Sequence, residues 1–377
     1  MMAYRVLIPS AGTGSRLGGI TRHLNKSLVS VANRPAISII IDSFPPDTEF
    51  VIALGYKGGL IREFIQLAYP GRKFLFSEVS PFEGPGSGLG LSVLACREHL
   101  RQPFIFISCD TLIRGSVPPP DRNWAGWAEA GDIARYRTLG VKGDSVTGIA
   151  EKGEGHPDSH RPYIGLSGIK DHETFWRAME EGGAEAAAAG EAWGLRALLP
   201  LGMEAKRFEW HDTGTPEGLE ESRRAYAETG APNILEKTAE AIWFVGGHVI
   251  KFSNDEKFIS NRVDRSRELK GYVPEVTGST AHMYRYPRAG GTVLSGCAAL
   301  PLFRDLLAHS SGFWETRDLA AVERDAFKKA CMVFYKDKTL QRVELFYNNF
   351  SRTDGAEPIN GKPMPRLTDL LAAVDWD

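Results

Sequence analysis

The sequence predicts an α/β protein with a doubly wound, mostly parallel sheet, followed by a smaller α+β domain. Short apolar runs alternate with helical patterns in the first part of the chain. A glycine-rich turn follows the first apolar run directly, as in sheets that bind ligands at strand ends. The pattern changes near residue 230, and 377 residues are too many for one ordinary domain. We therefore expect domains over residues 1–230 and 231–377.

Four apolar runs, bounded by charged residues, Gly or Pro, define the strands of the first domain. Pro35 favours a helix start directly after it. Ligands of such sheets bind beyond the carboxyl ends of the strands, so residues that follow the strands are functional candidates. The predicted elements are strand Tyr4–Pro9, helix Ala36–Ser43, strand Glu49–Leu54, helix Leu60–Ala68, strand Lys73–Ser77, helix Ser87–Leu100 and strand Phe104–Ser108.

The rest of the chain gives weaker patterns. The alanine-rich segment Gly182–Gly190 predicts a helix or a plain spacer, and Ser222–Thr229 predicts the helix that closes the first domain. Beyond residue 233, two apolar runs joined by Gly246-Gly247 predict an antiparallel hairpin. The elements predicted there are strands Ala241–Val245 and His248–Phe252, helix Phe258–Tyr272, strand His282–Tyr286 and helix Thr316–Cys331.

Composition excludes several classes of function. A hydrophobic content of 42% and a charged content of 24% are typical of a globular protein. The formal net charge of -2 gives no basic footprint for nucleic acid. The four cysteines lack the paired spacing of a zinc site or a disulfide framework, which indicates a reducing compartment. No apolar run has the length of a membrane span or a signal peptide. We expect a cytoplasmic protein that contacts neither membrane nor nucleic acid, with a homo-oligomer left open.

The segment Leu7–Leu17 is the most informative part of the chain, because a buried strand leads there into a glycine loop that bears Arg16. Lys26 follows ten residues later. Glycines let backbone N–H groups approach a polyphosphate, and the two cations supply positive charge. The spacing is not that of a P-loop, and Leu17 stands where a dinucleotide fingerprint needs its third glycine. The alternatives are a nucleoside triphosphate cradle and a strand-to-helix turn without a ligand. The candidate nucleotide-binding residues are Ala11, Gly12, Thr13, Gly14 and Ser15.

This glycine loop and the run Asn25–Pro35 resemble the signature of the sugar-1-phosphate nucleotidyltransferases, the enzymes that make NDP-sugars. The resemblance covers residues 1–230 and implies a Rossmann-like fold similar to GT-A enzymes. It implies that Arg16 contacts the β- and γ-phosphates and that Lys26 bridges the α-phosphate and the acceptor phosphate. In that family the lysine usually follows a proline, whereas Asn25 stands there in this chain.

Two carboxylates are candidate ligands for Mg²⁺, which prefers one or two carboxylates together with substrate phosphates. Asp110 directly follows the strand Phe104–Ser108, at the edge where ligands bind. Asp212 lies in a W-x-D-x-G-T segment that resembles the second metal-binding run of the family. A turn or helix cap is the alternative role of each, although Thr215 already serves as a cap for the helix after Asp212.

The same resemblance implies residues for the nucleobase and the acceptor. Glycines after the third strand would bring backbone groups to the edge of a base, and an E-K pair would hold the sugar and its phosphate. A surface ion pair is the alternative role of Glu151, and Gly153 replaces the proline that follows this lysine in the family. The residues are Gly86, Ser87 and Gly88 for the base, and Gly140, Glu151, Lys152 and Gly165 for the acceptor.

The second domain faintly resembles the N-lobe of aminoglycoside and choline phosphotransferases, which are kinase-like enzymes. The strand Gly247–Phe252 carries Lys251, and Glu268 on the next helix would be its partner. An ordinary strand cation and a helix-surface anion are the alternative. The chain contains no H-x-D catalytic loop after this strand, so we expect a partial domain that does not phosphorylate by itself.

Three functions are compatible with these motifs. The first is Mg²⁺-dependent transfer of NMP from a nucleoside triphosphate to a sugar 1-phosphate, with release of pyrophosphate, for surface polysaccharide or capsule precursors. The second is a cytidylyltransferase that acts on phosphocholine or a similar small phosphoester or phosphonate. The third is an inactive nucleotide-binding regulatory module. The partners implied in each case are a nucleoside triphosphate and, for the enzymes, a small phosphorylated acceptor.

Overall fold

The structure, a computed structural model, describes residues 4–229, 232, 234, 237–314, 318–349 and 351–376. The chain divides into two compact units, residues 1–291 and 292–377. All predicted site residues lie in the first unit. The predicted domain boundary between residues 230 and 231 falls on residues outside the described part and stays a prediction.

The first unit contains strands and helices in alternation. Its strands are β1 (Arg5–Ser10), β2 (Ser30–Val31), β3 (Arg34–Pro35), β4 (Glu49–Leu54), β5 (Phe74–Glu78), β6 (Phe104–Ile107), β7 (Thr111–Arg114), β8 (Trp124–Trp127), β9 (Thr138–Lys142), β10 (Ser145–Ala150), β11 (His160–Ile169), β12 (Glu204–Arg207), β13 (Glu209–Asp212), β14 (Glu240–Val245), β15 (His248–Ser253), β16 (Gly278–Ser279) and β17 (Met283–Pro287). Its α-helices are α1 (Ala36–Asp42), α2 (Gly58–Ala68), α3 (Leu89–Leu94), α4 (His172–Glu181), α5 (Gly183–Ala189), α6 (Glu191–Leu198), α7 (Pro216–Ala225) and α8 (Glu256–Glu268). Short 3-10 turns cover Ser15–Thr21, Lys26–Leu28, Arg97–His99, Ile133–Arg135 and Leu199–Leu201.

The main sheet has nine strands in the order β5-β4-β1-β6-β11-β8-β12-β10-β9. The four strands predicted from the sequence, β5, β4, β1 and β6, are parallel, as expected. Beyond β6 the sheet is mixed rather than mostly parallel, because β11 runs antiparallel to β6, and β9 and β10 form an antiparallel pair. Only two residues join β9 to β10, and so short a loop can connect only antiparallel strands.

Both faces of the parallel half are covered. Val6 and Ile8 of β1 belong to one apolar core, together with side chains of α1 and α2. Leu7, between them, belongs to a second core on the opposite face, with side chains of α4 and α6. Burial on both faces is what makes this strand a continuous apolar run rather than an alternating one. The loops that follow the parallel strands lie at the carboxyl edge of the sheet, which the helices on the two faces do not cover.

The predicted helix Ser87–Leu100 is shorter in the structure, where α3 ends at Leu94 and a 3-10 turn follows. The alanine-rich segment is the helix α5 and not a spacer. These two helices pack closely, because a side chain on Gly88 or Gly90 would collide with backbone carbonyls of α5. The predicted helix Ser222–Thr229 begins earlier, at Pro216, and ends at Ala225.

The predicted hairpin is confirmed as β14 and β15, which turn at Gly246-Gly247 and form a four-stranded antiparallel sheet with β17 and β16. This sheet packs on α2. Trp243 is fully buried, its ring edge-to-face with Phe64 at 5.4 Å, and Arg285 Nη1 donates to the Leu67 carbonyl at 2.6 Å. The sheet therefore shares its core with the α/β part of the first unit.

The predicted kinase-like pairing does not occur among the described residues, where Lys251 and Glu268 form no ion pair. Lys251 Nζ instead lies 5.6 Å from the centre of the Tyr286 ring, and Glu268 is exposed near the end of α8. The kinase-like resemblance of this segment stays a prediction.

The second unit is mostly helical, and many of its large apolar side chains are exposed, among them Leu300, Phe303 and Phe334. The predicted helix Thr316–Cys331 begins at Ala321 in the structure, and residues 316 and 317 lie outside the described part. No helix in the described residues is long and apolar enough to cross a membrane. The elements are α9 (Leu300–Ser311), α10 (Ala321–Cys331), a π-helical segment Met332–Asp337, α11 (Lys338–Asn349), β18 (Pro358–Ile359), β19 (Lys362–Pro363) and α12 (Leu367–Ala372), with a 3-10 turn at Leu294–Gly296.

Candidate functional site

The glycine loop leaves the carboxyl end of β1 and turns at Gly14. This residue has φ +67°, a left-handed conformation that favours glycine. An added Cβ at Gly14 would lie 3.0 Å from Lys26 Cβ and 3.1 Å from Thr21 Cγ2. The loop therefore packs directly against the stem of Lys26. Ala11 is buried beneath the loop, whereas Gly12 and Ser15 are exposed and Thr13 is half-buried.

Asn25 holds the Lys26 turn in place. Its Nδ2 donates to the carbonyls of Ser10, at 2.9 Å, and of Tyr56, at 2.7 Å. Its Oδ1 accepts from Ser27 N at 2.9 Å and from Ser27 Oγ at 2.8 Å. Asn25 is fully buried, and its bonds to Ser10 and Ser27 are shielded from water. The end of β1 and the Lys26 turn are thereby joined by one side chain.

Lys26 and Asp110 form an ion pair at the end of β6. Their side chains are only 12% and 16% exposed. Burial alone would raise the pKa of Asp110, but the Lys26 charge and hydrogen bonds from Lys26 and Ser108 outweigh it and lower the pKa to about 2. Ser108 Oγ donates to Asp110 Oδ1 at 2.5 Å. Burial likewise opposes the charge of Lys26, and the Asp110 carboxylate raises its pKa.

Asp212 joins this pair from the other end of the domain. Its strand β13 lies antiparallel to β7, which places Asp212 opposite Thr111, the residue after Asp110. Gly214 N donates to Asp212 Oδ1 at 2.7 Å. An added Cβ at Gly214 would lie 2.8 Å from Asp110 Oδ2, 2.9 Å from Asp212 Oδ1 and 3.5 Å from Lys26 Nζ. The three charged groups therefore surround one point.

The environment of Asp212 differs from that of its neighbour. Burial and the nearby Asp110 carboxylate raise the pKa of Asp212. The helix after it is capped by Thr215, whose Oγ1 accepts from Gly218 N at 3.1 Å, so Asp212 is not needed as the cap. Two carboxylates whose repulsion is only partly relieved by one lysine form a site that favours a further cation.

The donor set fits Mg²⁺. Two carboxylates leave most coordination positions for water and phosphate oxygens, which is the arrangement that Mg²⁺ prefers. Within the described residues, no group of three or more His, Cys, Asp or Glu side chains forms a complete protein cage for a metal ion. Asp110 and Asp212 would therefore hold the ion together with substrate.

Arg16 lies in the 3-10 turn Ser15–Thr21, and its side chain is exposed. It makes no hydrogen bond or ion pair with the described residues. Its positive charge nevertheless acts on Lys26, Asp110 and Asp212. Arg16 is thus close to the charged cluster and retains its donors for a ligand.

The loop predicted for the nucleobase follows β5. Gly86 has φ +83°, and Ser87 Oγ donates to the Gly84 carbonyl at 2.7 Å. The loop is exposed up to Gly86, and Ser87 and Gly88 are half-buried where it enters α3, with Gly88 against α5. The role of Gly86, Ser87 and Gly88 toward a base stays a prediction.

The residues predicted for the acceptor lie on β9, β11 and the segment after β10. Glu151 accepts from Arg137 Nη2 at 3.0 Å and from Arg196 Nη2 at 2.5 Å, and although burial opposes them, these two cations lower its pKa. Lys152 is exposed and makes no hydrogen bond or ion pair with the described residues.

Gly165 lies nearest the charged cluster. It has φ +69°, and an added Cβ would lie 3.0 Å from Ser108 Cβ. An added Cβ at Gly140 would lie 2.9 Å from Thr147 Oγ1, which places Gly140 against the neighbouring strand. The structure therefore brings Gly165 to Ser108, which hydrogen-bonds Asp110. In the described part of the chain, the contacts of Gly140 and Glu151 are with other residues and not with the charged cluster.

Sequence reasoning missed a group of buried polar side chains behind the acceptor region. Glu191 is 3% exposed, and its Oε2 has no hydrogen-bond partner in the described part of the chain. Burial raises its pKa, and the charges of Arg137 and Asp110 act on it. Tyr163, beside it, shares a hydrogen bond of 2.7 Å with Ser167. The only local sequence signal for Glu191 was its position after Gly190, at the start of a helix. Acidic residues are common in the first turn of any helix, so this position did not single out Glu191 as a buried functional residue.

A cavity of about 380 Å³ opens beside Asp212. Tyr136 and Trp210 meet edge-to-face there, with ring centres 5.3 Å apart. Burial and the Asp212 charge raise the pKa of Tyr136. Arg135 and His211 are the basic residues that line it, and the other acidic side chains in its lining are Glu129, Asp132, Glu217 and Glu221. The cavity therefore combines aromatic rings with an excess of negative charge.

No protein-family model and no curated protein sequence matches this chain. Several solved structures do match this chain. UDP-glucose pyrophosphorylase in complex with UDP-glucose has a TM-score of 0.51 at 18% identity, over 60% of this chain and 98% of that chain. Apo UDP-glucose pyrophosphorylase has a TM-score of 0.52 at 17% identity, over 60% and 98%. Identity at this level establishes the fold alone: over that part of its length, the chain has the α/β fold of these two structures.

Proposed function

We propose that this protein is a Mg²⁺-dependent nucleotidyltransferase, which transfers NMP from a nucleoside triphosphate to a sugar 1-phosphate and releases pyrophosphate. The convergence of Lys26, Asp110 and Asp212 around one point above Gly214 carries the proposal. The glycine loop packs on Lys26, so a triphosphate held by the loop would meet these groups. A cation and two carboxylates beside a glycine loop are what a metal-bound triphosphate requires.

The reaction exchanges one phosphoanhydride bond for another. An oxygen of the acceptor phosphate forms a bond to the α-phosphorus, and the bond from that phosphorus to the oxygen that bridges to the β-phosphate breaks. Pyrophosphate leaves with this oxygen and its electron pair. The acceptor phosphate is already ionised at neutral pH, so no general base is needed. The chain has to align the two phosphates and neutralise their charge.

Lys26 and Arg16 supply the positive charge. With substrate present, Lys26 exchanges its contact with Asp110 for the α-phosphate and the acceptor phosphate, whose oxygens compete for the same ammonium group. Arg16, whose donors are free of hydrogen bonds to the described residues, binds the β- and γ-phosphates and stabilises the departing pyrophosphate. Mg²⁺, when bound by Asp110 and Asp212, would neutralise phosphate oxygens.

The acceptor lies on the side of Gly165, whose backbone approaches Ser108 next to Asp110. Glu151 has oxygen lone pairs left after its two arginine contacts, and it accepts hydrogen bonds from sugar hydroxyls. Lys152 binds the acceptor phosphate. The use of the product for surface polysaccharide or capsule precursors belongs to this proposal and rests on the resemblance alone.

A second candidate function is transfer of CMP to phosphocholine or a similar small phosphoester or phosphonate. The cavity beside Asp212 favours it, because aromatic rings with surrounding carboxylates attract a quaternary ammonium group. A neutral sugar gains less from this negative charge. The two candidates share Lys26, Asp110 and Asp212 and differ only in the acceptor.

A substrate panel tests the proposal. The protein is incubated with Mg²⁺, each of the common nucleoside triphosphates, and either a hexose 1-phosphate series or phosphocholine, and pyrophosphate release is measured. Release that depends on a sugar 1-phosphate supports the first candidate, and release with phosphocholine alone supports the second. Nucleotide binding without pyrophosphate release from any pair would contradict both and support an inactive binding module.

A further inference from the structure

The Glu151 carboxylate is held by two arginines in the described part of the chain. Arg137 donates to Glu151 Oε2 twice, from Nε at 3.2 Å and from Nη2 at 3.0 Å. Arg196 Nη2 donates to Glu151 Oε1 at 2.5 Å. A carboxylate oxygen has two lone pairs, so those of Oε2 are both used, whereas Oε1 has one left. Two neighbouring hydroxyls of an acceptor can therefore bind both oxygens only if Arg137 releases Oε2.

Arg137 lies at the junction of α5 and α6. Its Nη2 also donates to the carbonyl of Ala189, the last residue of α5, at 3.0 Å. Glu191, the first residue of α6, follows two positions later, and the charge of Arg137 acts on it. Arg137 Nη1 makes no hydrogen bond with the described residues. The guanidinium therefore has donors left close to a second carboxylate.

Glu191 is a buried carboxylate that lacks a cation. It is 3% exposed, its Oε2 accepts no hydrogen bond from the described residues, and it forms no ion pair with them. Burial raises the pKa of Glu191, whereas the charge of Arg137, the backbone N–H of Glu191 and the Tyr163 hydroxyl lower it. Burial outweighs them, so the fold disfavours the ionised form. A cation that moved into contact with Oε2 would relieve this cost.

We propose that Glu191 is a positioning residue of the acceptor site: when an acceptor binds Glu151, Arg137 moves from Glu151 to Glu191. The exchange frees Oε2 of Glu151 for the acceptor hydroxyls and keeps Arg137 paired throughout. It also gives Glu191 the cation that it lacks, which offsets part of the cost of opening the first ion pair. The ability of Arg137 to change partners is independent of the transferase activity, and only the acceptor that drives the change rests on the proposed function.

The exchange is tested first without any substrate, by unfolding in urea. Glu151→Ala removes the carboxylate that holds Arg137, and because the Glu151 side chain is 42% exposed, this variant should fold. In the parent, Glu191→Gln removes a buried charge that lacks a cation, so the unfolding midpoint should stay the same or rise. In the Glu151→Ala background, Arg137 pairs with Glu191, so Glu191→Gln should lower the midpoint by about 0.5 M or more.

Glu185→Gln on α5 is the matched control. Glu185 is exposed, and its substitution changes the net charge equally, so the midpoint should stay unchanged in both backgrounds. A lower midpoint for Glu191→Gln in the parent would show that Glu191 is already paired there. The same effect of Glu191→Gln in both backgrounds would show that Arg137 does not move to it. Either result would overturn the exchange.

The role toward the acceptor is tested with the acceptor that supports pyrophosphate release in the substrate panel. Glu191→Gln should raise the KM for this acceptor about fivefold or more and leave the KM for nucleotide constant. In an Arg137→Met background, Glu191→Gln should have no further effect on the acceptor KM, because Glu191 acts only through Arg137. An equal rise in both backgrounds, or no rise in the parent, would contradict the role of Glu191 as a positioning residue.

The two measurements separate this inference from the proposed function. If the midpoints reverse as expected in a protein that releases no pyrophosphate with any substrate pair, the transferase function is contradicted and the exchange of Arg137 is supported. If a sugar 1-phosphate supports turnover but the midpoints do not reverse, the transferase function is supported and the exchange is overturned.

Discussion

Lys26→Ala separates the proposed catalytic role of this lysine from its structural one. The substitution leaves the Asp110 carboxylate, 16% exposed, with a hydrogen bond from Ser108 but without its cation. Removal of one partner from a buried ion pair costs about 3 kcal/mol of stability or more. Loss of a group that neutralises transition-state charge costs a further factor of about 100 in kcat, or about 2.7 kcal/mol.

The assay measures both effects in the same samples. Unfolding in urea gives the free energy of unfolding, and pyrophosphate release gives kcat with the best substrate pair, at a temperature where the variant stays folded. Lys73→Ala is the matched control, because Lys73 is 79% exposed and pairs with Glu49 on the surface. A surface pair contributes at most about 1 kcal/mol, so this control should keep its stability and its kcat.

Two outcomes would refute the reasoning. Turnover close to the parent value in a folded Lys26→Ala protein would remove Lys26 from the phosphate-binding machinery. A loss of kcat as large in Lys73→Ala would show that the effect is not local. Asp110→Asn, which keeps the size of the side chain, should also lower kcat about 100-fold and should weaken the dependence on Mg²⁺.

Three further expectations follow from the site. Gly214→Ala places a methyl group within 3 Å of two carboxylate oxygens, so kcat should fall about 100-fold in the pyrophosphate assay. Gly59→Ala is the control: an added Cβ at Gly59 has no neighbour within 4 Å, so kcat should stay unchanged. Glu151→Gln keeps its size but loses the charge that faces two arginines, so the KM for the acceptor should rise about tenfold while the KM for nucleotide stays constant. Stability should depend on pH through Asp110: its pKa is lowered in the fold to about 2, so its contribution of about 2 kcal/mol is full above pH 4 and is lost as pH falls toward 2. Urea titrations across that window should show this loss in the parent protein and not in Lys26→Ala.

The sequence is sufficient for the parallel half of the sheet because its strands are buried on both faces. The bounds of β4, Glu49–Leu54, were predicted without error, and β1 and β6 were predicted within one residue at each end. The sequence alone is not sufficient to predict the strands of the mixed half of the sheet. The strand β12, Glu204–Arg207, has no apolar alternation, and its place in the sheet is set by its pairing with β8. Such a strand is defined by tertiary context rather than by its own pattern.

The same distinction applies to the site. Asp110 was predicted from its position after an apolar strand, and Lys26 from its spacing to the glycine loop, since both signals are local. The proximity of Asp212 to them depends on the pairing of β13 with β7, which links residues about a hundred positions apart in the chain. Local patterns could not predict that Arg137 and Arg196 both contact Glu151, because no motif joins them.

Asn25, where the resembling family has proline, provides the last test of how the Lys26 turn is built. Its backbone, at φ -70° and ψ 148°, is one that proline adopts without strain. Asn25→Pro would gain about 0.4–1 kcal/mol from the stiffer unfolded chain. It would lose the bonds to Ser10, Tyr56 and Ser27, and each buried group left unpaired costs about 1–3 kcal/mol. The balance favours asparagine.

We therefore expect the free energy of unfolding to decrease from the parent to Asn25→Pro and further to Asn25→Ala, which loses the same bonds without the gain in stiffness. Urea titration of the three proteins measures this order. A proline variant as stable as the parent would show that the four hydrogen bonds contribute little and that backbone conformation alone positions Lys26. If the expected order holds, the hydrogen bonds of Asn25 fix the Lys26 turn in the way that the proline ring would in the resembling family. The difference at residue 25 is then no argument against phosphate binding by this turn.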